Sequence, residues 1–341
     1  MSIKRARKYL QKDKRDGHVL LDFPDHREFL KYLTGRDCFE DMVGTIIEAV
    51  HKLDVDILMG SAPTNQKSRD ELEDNPNLYG SDLTVWRNSE NSSRDISEHD
   101  PLAKRRQFNT SDYNIARMFI EQDAKSRFYA GGTALTHGGY YTTCFHYAAE
   151  DLDYEAFLCF CVQEPEKTTA LLDRYEALSS RVLTAWRRCN IELMLCHDDI
   201  ANAKSLTLNP DYIRENLIPR YKRLFAPFNE GGIPLLFLTD GNFTDIAKDI
   251  LEAGADGFFL DRPAIDPAAL IKRCGDDKFY YTGPSPEMMT NGTPDDIERE
   301  MDMLSEIADS VPGFMFHMPG GWTRNMPMEN VKTFYKRIGR I

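Results

Sequence analysis

The chain has 341 residues, 41% hydrophobic and 28% charged, with 42 Lys and Arg against 55 Asp and Glu for a net charge of −13. That length supports one large core or two ordinary domains, and the acidic balance excludes sequence-independent nucleic-acid binding, which rests on neutralising phosphates. No run reaches 18 apolar residues, so no transmembrane helix is expected; the seven cysteines, at 38, 144, 159, 161, 189, 196 and 274, form no regular CxxC pair and read as reduced thiols of a cytoplasmic protein.

The basic opening MSIKRARKYLQKDKR lacks the serine richness of a transit peptide and contains Asp13. It reads as a short amphipathic helix covering the base of the fold. Strands are expected in HVLLDF (18–23), VDILMG (55–60) and SRFYAGGT (126–133). Residues 61–125 are polar and rich in turn formers, with LTVW as one candidate strand of a hairpin. They read as an insertion after the second strand, a loop at the catalytic face.

From residue 170 onward one theme repeats: a helix, a short turn, a short apolar run, then polar residues. The apolar runs are IELMLCHDD (191–199), IPLLFLTDGN (233–242), GFFLDRP (257–263), KFYYTGP (278–284) and GFMFHMPGG (313–321). The helices before them carry apolar residues at i, i+3, i+4 and i+7. Asn209-Pro210-Asp211, Asp266-Pro267 and Thr293-Pro294 are helix-start signals. Short runs that are apolar on both sides fit strands of a parallel sheet. Eight such strands predict an α/β fold, a single-domain (βα)8 barrel; no GxGxxG follows the first strand, which argues against an open dinucleotide-binding sheet.

Barrel active sites form at the C-terminal ends of the strands. Those ends carry Asp22, Asp25 and His26; Ser61 and Asn65; His137, Tyr140 and Tyr141; His197, Asp198 and Asp199; Asp240 and Asn242; Asp261 and Arg262; Ser285; and His317, with Trp322 just beyond. Asp199, Asp240, His317 and His197 are the candidate catalytic groups. Asp22, His26, His137, Tyr140, Tyr141, Asn242, Asp261, Arg262 and Trp322 are the candidate substrate contacts. Each has a plainer reading: Asp198 or Asp199 as a helix cap, Asp240 in a tight turn with Gly241, Asp261-Arg262 as an ion pair, His317 as a core histidine. Strand alternation lets only one of two adjacent side chains face the mouth, and Asp199 is assigned there. YAGGTALTHGGYYTTCFHY (129–147) is glycine-rich and reads as a flexible binding loop at the third strand. Cys159 and Cys161 fall on a helix at i, i+2 and point apart, so they make no zinc pair with His146.

The motifs DDIAN (198–202), LNPDYIRENLIPRYKRLFAPFNEGGIPLLFLTDGN, IAKDILEAGADGFF, GTPDDIEREMDML and PMENVKTFYKR resemble the uroporphyrinogen decarboxylase superfamily. The opening IKRARKYLQKDKRDGHVLLDF, HDPLAKR and VQEPEKTTALLDRY are similar to its first strand and middle. The resemblance implies a (βα)8 barrel, a homodimer, and one of two activities. Decarboxylases of porphyrinogen acetates carry an arginine-rich RQAGRY-type segment after the first strand; here that place is DFPDHREF, with Arg27 alone. The other branch transfers methyl groups to cobamides or thiols, and its zinc-binding members use an HxCG motif. Here Leu238-Thr239-Asp240-Gly241 stands in that place and Gly320-Gly321 near the later cysteine, so the usual zinc-thiolate site is absent; Asp240 and His317 are left as hard-metal candidates. The resemblance thus implies methyl transfer from a small methylated substrate to a corrinoid, free or on a partner protein, with acid/base assistance. Cofactor-free decarboxylation and a non-catalytic tetrapyrrole-binding barrel are the alternatives.

Overall fold

The computed structural model describes residues 2–13, 17–59, 111–152 and 154–341. The short apolar runs become strands whose residues are mostly buried: β1 (Val19–Asp22), β2 (Ile57–Leu58), β3 (Leu135–Thr136), β4 (Gly138–Tyr140), β5 (Met194–His197), β6 (Leu235–Leu238), β7 (Gly257–Phe259), β8 (Phe279–Thr282) and β9 (Gly313–Phe316). β3 and β4 are separated in the chain by His137 alone. Parallel pairing between these strands, with helical connections along the chain, makes this a (βα)8 barrel.

The described residues fall into two compact units. One holds residues up to 59, 122–137 and 260–341; its strands are ordered β3-β2-β1-β9-β8. There Leu21 lies beside Ile57, and Leu20 beside Phe316. The other holds 111–121 and 138–259, ordered β4-β5-β6-β7, with Met194 beside Leu235 and His197 beside Leu238. That register brings the polar tails of β5 and β6 to the same level.

The opening segment is helical, α1 (Ser2–Leu10). Ser2 Oγ donates to the Thr133 carbonyl at 2.6 Å, and Arg5 pairs with Asp54 and Asp56 at 2.8 and 2.7 Å. Arg340 reaches Asp56 as well. Asp56 precedes β2, so this network lies at the N-terminal end of that strand. Helices α2 (Arg27–Thr34) and α3 (Met42–Lys52) follow β1, and the turn-rich 61–110 lies outside the described residues, as do Ser61, Asn65 and LTVW.

One strand expectation is corrected. SRFYAGGT forms no strand: Ser126–Tyr129 complete helix α4 (Asp112–Tyr129), which also takes in the end of the expected 61–125 insertion. The buried residues Ile115, Phe119, Asp123 and Ser126 keep the spacing of one helical face. Gly131 and Gly132, at φ 58° and 73°, end that helix, and LTHGGY supplies the strand instead. Of the glycine-rich stretch 129–147 read as a binding loop, Leu135–Thr136 and Gly138–Tyr140 are barrel strand.

Beyond β4 come α5 (Cys144–Leu152), α6 (Tyr154–Gln163) and α7 (Pro165–Trp186). Trp186 Nε1 donates to the Gly139 carbonyl at 2.8 Å, tying α7 to β4. Asn209, Asp266 and Thr293 cap the helices expected after them, each with proline at the first turn. Two helices follow Asn209, α8 (Pro210–Asn216) and α9 (Ile218–Glu230), separated at Leu217 just before Pro219, which has no N–H to continue the ladder.

Candidate active site

β5 is apolar because it is walled on both sides, and it ends in His197-Asp198-Asp199 because the chain leaves the wall there. The three ionisable groups take different directions. Asp198 turns inward and is wholly buried. Its carboxylate accepts the backbone N–H groups of Phe145 (3.0 Å) and His146 (2.7 Å) and the Tyr221 hydroxyl (2.8 Å). Burial pushes its carboxyl up, against these hydrogen bonds. Asp198 thus caps α5, a helix some fifty residues upstream, rather than the one that follows it.

Asp199 faces the other way, as alternation predicts, and keeps a fifth of its side chain in solvent. Its Oδ1 accepts His197 Nε2–H at 2.7 Å and the Asp240 backbone N–H at 3.1 Å; Oδ2 lies 3.2 Å from His146 Nδ1. Burial would raise this carboxyl, but the hydrogen bonds from His146 and His197 outweigh it and hold Asp199 ionised, well below the carboxylate range. His146 Nε2 meets Glu150 at 3.2 Å, so both nitrogens of that ring face carboxylates. Burial disfavours its charge; Asp199, Asp198 and Glu150 more than offset this and raise its pKa. Tyr141 stands edge-on to the His197 ring, centroids 4.3 Å apart, with its own hydroxyl pushed up by burial and by Asp199 and Asp240.

Asp240 is exposed in the turn after β6. Gly241 adopts φ 80°, and a Cβ there would stand 2.2 Å from the Asn202 carbonyl oxygen. Asn242 N–H donates to that same carbonyl at 2.8 Å. DDIAN and TDGN are therefore one interlocked pair of turns, and only glycine lets them close. The Asn242 side chain caps the turn by accepting from Thr244 N–H.

His197, Asp199 and Asp240 each offer a ligand atom, all within 4.8 Å of one another. The donors are imidazole and carboxylate. The nearby thiols Cys144 and Cys196 are wholly buried, and burial pushes both well up, so they are not thiolate donors. The residues present do not fit a zinc-thiolate centre.

A second cluster occupies the other unit. Asp22 is buried, with Oδ1 accepting Trp322 Nε1–H (2.9 Å) and Oδ2 accepting the Tyr335 hydroxyl (2.5 Å). Burial, only partly opposed by those bonds, pushes its carboxyl up to about 6. Trp322 is wholly buried and stacks on Tyr335. His26 caps α2 by accepting from Phe29 N–H and donates to the Met326 carbonyl. His317 donates from Nδ1 to the Leu21 carbonyl at 3.0 Å, packs against Tyr281, and is lowered to about 4 by burial with a contribution from His137. It is therefore a neutral imidazole near pH 7, unsuited to act as an imidazolium donor. Arg262 pairs with Glu300 at 2.6 Å, and the Asp261 carbonyl opens the turn to Ile265. Tyr140 is buried against Ser179 and Tyr147, and Ser285 caps the helix Pro286–Asn291.

The structure thus gathers His197, Asp199, Asp240 and Tyr141 of the expected set, and adds His146 and Glu150. From the sequence His146 is weighed only as a zinc partner for Cys159 and Cys161 and Glu150 not at all, although their i, i+4 spacing on a helix just after a strand is a usable signal.

Among the curated proteins, no sequence matches this chain. A methyltransferase from Methanosarcina mazei is similar in structure over 99% of this chain and 98% of its own, with a TM-score of 0.60 and 16% identity. A putative vitamin-B12-independent methionine synthase from Listeria monocytogenes matches over 64% of this chain and 68% of its own (TM-score 0.41, 13% identity). D-psicose 3-epimerase from Clostridium cellulolyticum H10 matches over 87% and 90% (TM-score 0.43, 13% identity). Among the described residues no helix is long and apolar enough to cross a membrane. The sequence pattern of uroporphyrinogen decarboxylase (URO-D) matches residues 137–341, more than half of the chain, and the protein belongs to that family.

Proposed function

We propose that this member of the family is a methyltransferase: it moves a methyl group from a small methylated donor to a corrinoid, free or on a partner protein. The observation that carries the reading is Asp199, held ionised between His197 and His146 at the strand ends. In the transfer the bond between methyl carbon and donor heteroatom breaks, its electron pair stays on the heteroatom, and the carbon bonds to the acceptor. A reduced corrinoid would supply the nucleophilic electron pair. The heteroatom leaves more readily if a proton reaches it as charge develops. An imidazole hydrogen-bonded to Asp199 can deliver that proton, because the carboxylate orients the ring and stabilises its charged form.

Two further points favour this reading over decarboxylation of a porphyrinogen. The similar structure from Methanosarcina mazei is named a methyltransferase. The cluster is rich in carboxylates, which repel a polyanionic tetrapyrrole, and Arg27 lies over the Phe39 ring, 5.1 Å from its centroid.

The test is a panel of methoxylated and methylamine donors with chemically reduced cobalamin, followed by the absorbance of methylcobalamin. Turnover with at least one donor is expected, and Asp199→Asn is expected to lower it roughly 100-fold. No methyl transfer from any donor, or an unaffected Asp199→Asn enzyme, sinks the reading.

A further inference from the structure

We propose that Asp198 and Tyr221, both wholly buried, are positioning residues of the Asp199 site: they fix the first turn of α5 and so hold His146 against Asp199. Their part in catalysis rests on the functional reading above, in which an imidazole on Asp199 supplies the proton. Three consecutive residues at the end of β5 engage the start of α5. The His197 carbonyl accepts the Thr143 hydroxyl at 3.0 Å. The Asp198 carboxylate accepts the N–H groups of Phe145 and His146 at 3.0 and 2.7 Å. Asp199 Oδ2 lies 3.2 Å from His146 Nδ1. His146 is thus held twice, by its backbone through Asp198 and by its ring through Asp199.

The cap does not come from its usual place. The first N–H groups of a helix have no partner within it, and the residue just before the helix normally meets them with its own side chain. Thr143 stands in that position, but its hydroxyl goes to the His197 carbonyl. Asp198, 52 positions on from His146, meets them instead. A local cap would satisfy the helix end and leave its placement free. A cap from the end of β5 also ties the helix to the segment that bears Asp199.

Tyr221 fixes the carboxylate in turn. Its hydroxyl donates to Asp198 Oδ2 at 2.8 Å. Its ring stacks on Phe225 and packs against Phe237 of β6, with centroids 5.6 and 5.3 Å away. Both carboxylate oxygens are therefore committed, Oδ1 to His146 and Oδ2 to Phe145 and Tyr221. Asparagine has one acceptor oxygen, and its NH2 group would face a donor at the other position. A buried carboxylate costs more than a buried amide; what it supplies here is the second acceptor. Groups that move protons must be held to within about 0.5 Å of their working geometry, and a backbone anchored on both oxygens of one buried side chain does that.

The experiment uses the full chain with isotope-labelled histidine and reads the His146 ring nitrogens by NMR, alongside kcat and KM for a donor that turns over. Asp198→Asn removes one acceptor; Tyr221→Phe keeps the buried ring and removes only the hydroxyl. Both should shift the His146 ring signals, and Asp198→Asn should lower kcat about tenfold or more with little change in KM. In a His146→Gln background Asp198→Asn should lower kcat no further, because the two losses share one route. A cap that only stabilises the fold would lower the denaturation midpoint and leave the His146 signals of the folded protein in place. Unmoved signals in the folded variants, or losses that multiply in the double variant, overturn the proposal. Should Asp198→Asn fail to fold, Tyr221→Phe decides by the same readouts. Shifted His146 signals in a protein that transfers no methyl group leave the positioning role standing and remove the functional reading. An active enzyme whose His146 signals stay unmoved in both variants does the opposite.

Discussion

Asp22 and Asp199 both stand where a barrel strand ends, each with a histidine and a tyrosine nearby, and they do opposite things. Asp22 is enclosed by Trp322 and Tyr335, whose N–H and O–H are spent entirely on its two oxygens. Its carboxyl is pushed up to about 6 because burial outweighs those neutral donors. Asp199 is met by two imidazoles and a backbone N–H, keeps some solvent, and is held ionised. The difference lies in the donors. Neutral donors from the core make a closed structural knot; imidazoles, which can themselves carry and release protons, make a candidate site.

The strongest way to break that contrast is Trp322→Ala. If the Asp22 cluster is structural, removing this wholly buried ring and one of its two donors should cost about 3–5 kcal/mol in denaturant unfolding. Turnover by the folded fraction should be unchanged. A stable variant with impaired turnover would instead make Trp322 part of the site.

Next is the response to acid. His317 is lowered from 6.5 to about 4 in the folded chain, so the unfolded chain takes up a proton in that window that the folded chain refuses. Its contribution is intact above pH 6.5 and lost as pH falls to 4, about 3 kcal/mol in all. Asp22 works the other way. Raised from 3.8 to about 6, it binds a proton first in the folded chain, so its effect favours folding as pH falls through that range. Stability curves should therefore flatten on the acid side in His317→Asn and steepen in Asp22→Asn. Equal slopes in both variants would remove this account.

The smallest expected effect sharpens the comparison most. The same change, Asp to Asn, should leave Asp22→Asn within about 1 kcal/mol of wild type at pH 7, since the amide can still meet both partners and no charge remains buried. At Asp199 it should abolish most turnover. Parallel unfolding and activity measurements on the two variants check this, and a dead Asp22→Asn enzyme of normal stability would erase the distinction.

Much of this was legible in order along the chain. The tails of β5 and β6 could be read because an apolar run that stops at charged residues has few ways to end, and alternation assigned Asp199 outward. The third strand was misread because Phe128 and Tyr129 favour strands locally, whereas the face that runs from Ile115 through Ser126 makes them the end of a helix. His146 was weighed only with the cysteines because its value comes from Asp199, 53 positions on, and nothing local marks that meeting. His317 looked like a proton donor because its burial, and its bond to Leu21 nearly 300 residues away, cannot be read from GFMFHMPGG.

The sequence by itself determined the barrel class and the position of most strands and helix caps, because periodicity, proline and capping residues act over a few neighbours. Only the tertiary structure decided which of those ionisable groups are enclosed and which are available. That depends on desolvation and on partners brought together from distant segments, as when Tyr335 and Trp322 close on Asp22 while His146 and His197 leave Asp199 charged.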